Sequence, residues 1–374
     1  MKVCFTGDLF LGGDIINSNS EQFVLSQEYY AADIRVSNLE QSFGSKKNRK
    51  DDKCTLYADP QSLSIAGLLK LDVAALSNNH IQDTGDDGIR STIRLLKKNS
   101  ISYFGAGQNI DEARAPYWID NNTCVLGYCE SGKPYLKKVQ KATKNSPGVN
   151  PLSYDNILRD LNEVPDNAKA ILHFHWGREH VALPEYDLIK LAKKLLAHEK
   201  VLCIIGLHAH RIQGVVKHQG KKAYMCIGNF IVPNFYIEPQ THIAYPKSFS
   251  EKVLTTKNYH FVGKLTYKKW SLKNRISLLV FVDIQKNTIH HIPMYQLPNQ
   301  PMVKELIGFR KKLVFLTAKW YSLLYQLPKP AYIALQKANV LWDKVYKLTY
   351  SFIFLTRQNG LKWSVDKTNE YLRR

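Results

Sequence analysis

The chain lacks the features that would place it in several common classes. No window stays apolar and uncharged long enough to span a bilayer. The first residues, M-K-V-C-F-T-G-D, run straight into a strand pattern, without the basic and apolar segments of a secretion signal. The six cysteines include no C-x-x-C pair, which removes thiolate zinc sites and redox pairs of that spacing. Cys4, Cys124, Cys203 and Cys226 sit in apolar, strand-like runs, the setting of buried reduced thiols and of a cytoplasmic protein. Acidic side chains are scarce. Thirty-two Asp and Glu against 52 Lys and Arg give a formal net charge of +20. That balance favours anionic partners. With no recognised nucleic-acid motif, nucleic acid ranks below an anionic polymer, a phosphorylated substrate or a lipid surface.

What is present is an alternation of short apolar runs and amphipathic stretches. Candidate strands are Lys2–Thr6, Asp33–Asn38, Val73–Ser77, Ile101–Phe104, Cys124–Cys129, Ala170–His175 and Val201–Gly206. Apolar residues at helical spacing fall between them, at Thr84–Lys98 and Leu183–His198. Such alternation predicts an α/β layered fold. Shorter strands follow Gly206, among them Arg211–Val216, Lys221–Ile227, Ile276–Asp283 and Thr288–Met294, and some of them belong to the core sheet. The stretch 232–257 reads as a loop. From Pro298 the composition changes to basic and aromatic, with two amphipathic helical patterns. The expected division is therefore 1–297 and 298–374. The tail helices either pack on the core domain or a second copy, or attach peripherally to an anionic inner membrane surface.

Several strand ends carry residues that can hold a metal ion. Asp8 follows Gly7, read as a turn glycine at the end of the first strand. Asn38 and Glu40 end the second strand, and Asn78, Asn79 and His80 the third. His173, His175 and Glu179 close a later strand; His208 and His210 follow I-I-G-L, where strand alternation would send both rings to one side. In open α/β sheets the functional crevice lies beyond the carboxyl ends of the strands. Carboxylates and imidazoles without thiolates suit Mn, Zn or Fe. Paired ions can clamp the attacking and leaving oxygens of a phosphoryl group and supply hydroxide at neutral pH. Each residue also has a plainer reading. Asp83 or Thr84 could merely cap the next helix, and His180, His198 and His218 read as solvent-facing.

The ordered motifs G-D-L-F-L-G-G, S-N-L-E, N-N-H-I-Q-D-T-G, H-W-G-R-E, G-L-H-A-H-R-I-Q-G and I-G-N-F resemble the CapA family of poly-γ-glutamate capsule biosynthesis proteins. That family is similar to a divergent branch of the calcineurin-like metallophosphoesterases. The resemblance covers about residues 1–235. It implies a layered metallophosphoesterase-like β-sandwich flanked by helices, here with a mostly helical basic C-terminal extension. It implies Asp8, Glu40, Asn79, His175, His208 and His210 as metal ligands; Asn38, Asn78, His173 and Glu179, at the same strand ends, are the candidates to support them. His80 would be the catalytic residue, protonating the leaving group or steadying the phosphate. Phe10 stands where the wider superfamily has a histidine in D-x-H, so one full ion plus a weaker second, or two, remain open. The implied role is a metal-dependent phosphoesterase-like hydrolase in capsule or polymer synthesis or export. Two alternatives stand beside it: a non-catalytic metal-binding assembly factor of a polymer synthesis or export complex, and an amide hydrolase or transferase on a γ-glutamyl polymer.

Overall fold

In the computed structural model, two sheets face each other with helices outside. The structure describes all residues except 19, 51–52, 134–135, 137, 239–240, 243–260, 263–264, 344 and 346–374. By contacts the chain divides into two compact units, 1–326 and 327–374. That division falls one helix later than the composition change at Pro298.

The first sheet is built around β1 (Lys2–Leu9), beside which lie β2 (Val24–Leu25), β3 (Ile34–Leu39), β4 (Val73–Ala75) and β5 (Ser102–Phe104). The second contains β6 (Tyr117–Asp120), β7 (Thr123–Cys129), β8 (Lys169–His175), β9 (Val201–Leu207), β10 (Val215–His218) and β11 (Lys221–Tyr224). β12 (Asn229–Ile231), β13 (Ile276–Asp283), β14 (Thr288–Gln296) and β15 (Val303–Glu305) return to the first sheet. Its order is β2-β15-β14-β13-β1-β3-β4-β5, with β12 also on β1; the second runs β10-β11-β9-β8-β7-β6. In the first sheet β1, β3, β4 and β5 run parallel while β13 meets β1 antiparallel, and in the second β7, β8, β9 and β11 run parallel. Parallel strands covered on both faces are near-continuous apolar runs, and V-L-C-I-I-G-L of β9 is such a run. Between the sheets Val3, Phe5, Val36, Phe104, Val125, Ile171, Ile205 and Val280 form one core. A second core includes Leu39, Ile89, Ile93, Leu96 and Phe281.

The helices α1 (Gly85–Lys98), α2 (Tyr154–Glu163), α3 (Tyr186–Leu196) and α4 (Gly308–Leu324) follow from apolar residues three and four apart. On α1, Ile89, Thr92, Ile93 and Leu96 are buried while Lys97 and Lys98 close the last turn. In the second unit residues 329–343 are helical; the rest of the second helical pattern expected of the basic tail, except residue 345, lies outside the described residues.

Three of these readings change. The first strand extends through Leu9, so Gly7 and Asp8 lie inside it, not at a turn. A Cβ on Gly7 would stand 1.8 Å from the Gly228 carbonyl oxygen. The glycine is there because β1 and the segment before β12 nearly touch. The strand expected at Arg211–Val216 begins only at Val215. The segment 232–257 contains the short strand Phe235–Ile237, and its part 243–257 lies outside the described residues.

Candidate metal centre

β1 carries Asp8 to the middle of the carboxyl edge, flanked in register by Asn38 on β3 and Asn229 on β12. This works because β13 pairs with β1 only at Lys2–Phe5, leaving the rest of that strand edge to β12. Asn38 donates to Asp8 Oδ1 at 2.8 Å. One residue past β3, Glu40 is fixed by its backbone N–H on the Leu9 carbonyl. Asn78 donates to Asn38 Oδ1 (3.2 Å) and to the Leu39 carbonyl (2.9 Å), tying the β4 turn to the β3 end. Its own Oδ1 accepts the His80 N–H at 3.0 Å, which sets the backbone of Asn79 and His80.

β8 and β9 supply the imidazoles. His175 ends β8, and its Nε2 lies 2.7 Å from Asn79 Oδ1 and 3.6 Å from Glu40 Oε1. β9 stops at Leu207, so strand alternation does not orient His208 and His210. Instead, both adopt positive φ, 83° and 51°, a conformation unusual for non-glycine residues and most often found where function demands it. The surroundings enforce it. The His180 N–H donates to the Ala209 carbonyl (2.8 Å), Asn274 Nδ2 to the His210 carbonyl (2.9 Å) and Arg211 Nη1 to the His180 carbonyl (3.0 Å). His180 is thus buried and structural, contrary to its solvent-facing reading. The other two rings of that set, His198 and His218, are partly exposed.

Two triads of ligand atoms result: Glu40, His175 and His208, and Asp8, Glu40 and His210, with all donor atoms in each within 4.8 Å of one another. Glu40 belongs to both. His210 Nδ1 is 3.1 Å from Asp8 Oδ2, 3.7 Å from Glu40 Oε2 and 2.8 Å from Asn229 Oδ1. All six residues expected as ligands are buried. Asp8 Oδ2, both Glu40 oxygens and both His208 nitrogens have no hydrogen-bond partner among the described residues. Burying such atoms without compensation is expensive, and a divalent cation would satisfy them. Burial and the neighbouring Asp8 and Glu179 charges push the Glu40 carboxyl well above the ordinary carboxylate range. Burial pushes His208 down to about 3, and burial with the nearby imidazoles holds His175 well below its usual value. Both rings are therefore neutral, the form that binds metal. Carboxylates and imidazoles without thiolates are a donor set that fits a divalent cation.

His80 sits beside the triads, its Nε2 3.9 Å from Glu40 Oε1. Its Nδ1 is 2.5 Å from Asp83 Oδ2, and Asp83 Oδ1 is 2.6 Å from Lys53 Nζ. Asp83 also accepts the Leu56 N–H. Thr84 is the N-cap residue of α1, without a side-chain capping bond, and Asp83 is turned to His80 and Lys53 instead. Burial and Lys53 lower His80 against the pull of Asp83. Burial alone would raise Asp83, but Lys53 and His80 outweigh it and hold the carboxyl below its ordinary value.

Of the supporting residues, Asn38 and Asn78 brace the ligands directly. Glu179 lies 3.5 Å from His180 Nε2. His173, two residues before His175, instead packs in the inter-sheet core against Phe104 and Phe5. Phe10 joins an aromatic cluster with Phe235 and Trp270, and Trp270 in turn packs on His210 at 5.3 Å between ring centroids. Asn229, Asp83 and Lys53 escaped the sequence reading as site residues. Asn229 had a signal, since I-G-N-F is one of the ordered motifs and follows the strand expected at Lys221–Ile227.

Residues 2–234 match the family described as "Bacterial capsule synthesis protein PGA_cap". The chain is 24% identical over 245 residues to the PGA biosynthesis protein CapA of Bacillus subtilis, covering 62% of this chain and 63% of that protein. It is also 24% identical over 249 residues to the capsule biosynthesis protein CapA of Bacillus anthracis, covering 62% and 59%. The match thus spans about three-fifths of each relative. Among solved structures, the calcineurin-like phosphoesterase YfkN from Bacillus subtilis aligns with a TM-score of 0.33 and 15% identity, covering 87% of this chain and 97% of that one.

Proposed function

Because the chain belongs to the bacterial capsule synthesis family PGA_cap, we propose that it is a metal-dependent, phosphoesterase-like hydrolase acting in the synthesis or export of an anionic capsule polymer of poly-γ-glutamate type. The observation that carries the chemistry is the pair of buried triads sharing Glu40. Asp8, Glu40 and His210 would hold one ion; Glu40, His175, His208 and Asn79 the other. Ions held there would supply Lewis-acid polarisation of a phosphoryl oxygen and water of lowered pKa. The chain's own residues do the rest. Asp83 takes the Nδ1 hydrogen of His80, which aims Nε2 at the space beside Glu40. A proton carried at Nε2 is the one a leaving oxygen would receive, and an arriving phosphate favours that protonated form by its charge. Lys53, on Asp83 and the Asn79 carbonyl, fixes the segment that bears both Asn79 and His80.

Phe10 favours a second reading. The aromatic cluster takes up a position that could have carried another ligand, leaving the Asp8 ion with fewer donors. A metal-binding assembly factor of a polymer synthesis or export complex, without turnover, would fit such a site. Amide hydrolysis or transfer on a γ-glutamyl polymer would use the same ion chemistry.

Elemental analysis of purified protein, before and after incubation with Mn, Zn or Fe, tests the ion. No ion and no uptake would remove the enzyme reading. His80→Ala is expected to keep the ion and lower turnover of a generic phosphodiester by about 10²–10⁴-fold. Equal turnover in the variant removes His80 from the mechanism, and ion binding without any wild-type turnover selects the assembly factor.

A further inference from the structure

α4 has two apolar faces. Val314 and Ala318 are buried on the inner one, which packs on β10 and β14. The Tyr325 hydroxyl accepts the Gly214 N–H at 2.8 Å, and Ser322 Oγ accepts the Val215 N–H at 2.7 Å. Gly214 permits this approach, since a Cβ there would stand 2.6 Å from the Ser322 backbone nitrogen. The outer face carries Phe309, Leu313, Leu316, Trp320 and Leu323, which are 78, 51, 61, 58 and 55% exposed. Alternating steps of four and three residues put all five on one ridge along the helix. Contiguous exposed apolar surface of this kind marks an interaction site.

The charge around the ridge chooses the occupant. At helical spacing Lys312 and Lys319 fall along one flank and Arg310 along the other, and residues 308–324 contain no Asp or Glu. Two copies meeting ridge to ridge would bring cations to face cations at the positions where coiled coils place complementary charges. An anionic headgroup layer attracts the same cations, while the large apolar side chains and Trp320 enter the acyl boundary.

We propose that α4 is a membrane-interface helix, which seats the core unit on an anionic phospholipid surface with the Phe309–Leu323 ridge embedded. The helix is fastened at Gly214 and Val215, only four and five residues beyond His210. Seating it fixes the direction in which the β9-edge site faces relative to the lipid. This inference stands apart from the hydrolase reading, because it needs neither ion nor turnover.

The test is sedimentation of the full chain with vesicles of phosphatidylcholine alone and of phosphatidylcholine with phosphatidylglycerol, at low and high salt. Binding is expected to be at least about tenfold stronger to the anionic vesicles and to weaken with salt. The combined variant Phe309→Ser, Leu316→Ser, Trp320→Ser is expected to lose about tenfold or more in partition. Lys312→Glu with Lys319→Glu should lose the preference for phosphatidylglycerol. These side chains point to solvent, so thermal melts should match wild type, and if the serine variant fails to fold the charge reversal still decides. Absence of vesicle binding overturns the proposal. So does a serine variant that binds like wild type, which would move the anchor elsewhere in the tail, or a lipid-free dimer that the serine variant converts to monomer.

Discussion

His173 is a polar ring in an apolar place. It lies between Phe5 and Phe104, and neither nitrogen has a hydrogen-bond partner among the described residues. Such a group costs the fold roughly 1–3 kcal/mol. His173→Leu, of similar volume, is therefore expected to raise the unfolding free energy in urea at neutral pH by that amount, seen as a higher midpoint, with ion content unchanged. A lower midpoint, or loss of the ion, would give His173 a partner in the site. At this scale residue type at an expected strand end picked out Asp8, Glu40, Asn79, His175, His208 and His210, which the fold brings together and which the proposal makes ligands. The sequence was silent on Lys53 and misread Asp83, because the ion pair between them joins positions thirty residues apart and leaves no local pattern. Asp83 sits before a helix and so resembles a cap. Only the fold reveals that its carboxylate is shared by His80, Lys53 and the Leu56 amide.

The parallel strands were legible as elements because apolar runs bounded by polar turns have few other uses, and their carboxyl ends named the crevice. Bounds failed where side-chain pattern and backbone demand diverge. G-L-H-A-H continues the strand alternation on paper, yet the chain turns at His208 and reaches the site through two left-handed residues. Gly7 fails the same way: a glycine before an aspartate suggests a turn, whereas its hydrogen makes room for the Gly228 carbonyl. Gly7→Ala is accordingly expected to cost at least the upper end of the roughly 1–3 kcal/mol typical of overpacking, since the atom it meets is backbone and cannot rotate away. Parting β1 from β12 also separates Asp8 from Asn229, so ion affinity should fall with stability. Gly67→Ala is the control. It lies in a helix with open space at its Cβ, and alanine there should stabilise by about 0.4–1 kcal/mol. Thermal melts of the two variants, with ion content, compare them directly. A Gly7→Ala protein that melts like wild type would contradict the close approach.

Over the whole molecule, the match covers the site-bearing part of the chain, and the strands it omits complete the sheet from far along the sequence. β13 runs from Ile276 to Asp283, as its apolar pattern indicates, but nothing local shows that it neighbours β1. No helix among the described residues is long and apolar enough to cross a membrane. Stability against acid is also set at this scale, by groups the core keeps from ionising. Burial pushes His173 down to about 3 from the ordinary value of 6.5. In the unfolded chain the ring takes up a proton as pH falls through about 6.5, while the folded chain refuses it until about 3, so the unfolded state binds more protons across that window. Stability from this ring is complete above the window and is lost as pH falls through it, at about 1.4 kcal/mol per pH unit. His208 has the same sign. Glu40 has the opposite sign, since its raised carboxyl keeps a proton in the folded chain as pH rises past the ordinary glutamate value. A wild-type curve alone would therefore mix the two. The difference between wild type and His173→Leu isolates one ring: the variant's advantage in urea unfolding should widen steadily between about pH 6.5 and the onset of acid unfolding, by about 1.4 kcal/mol per unit. A gap that stays constant with pH would mean that His173 is already protonated in the fold, or that its nitrogens are partnered there.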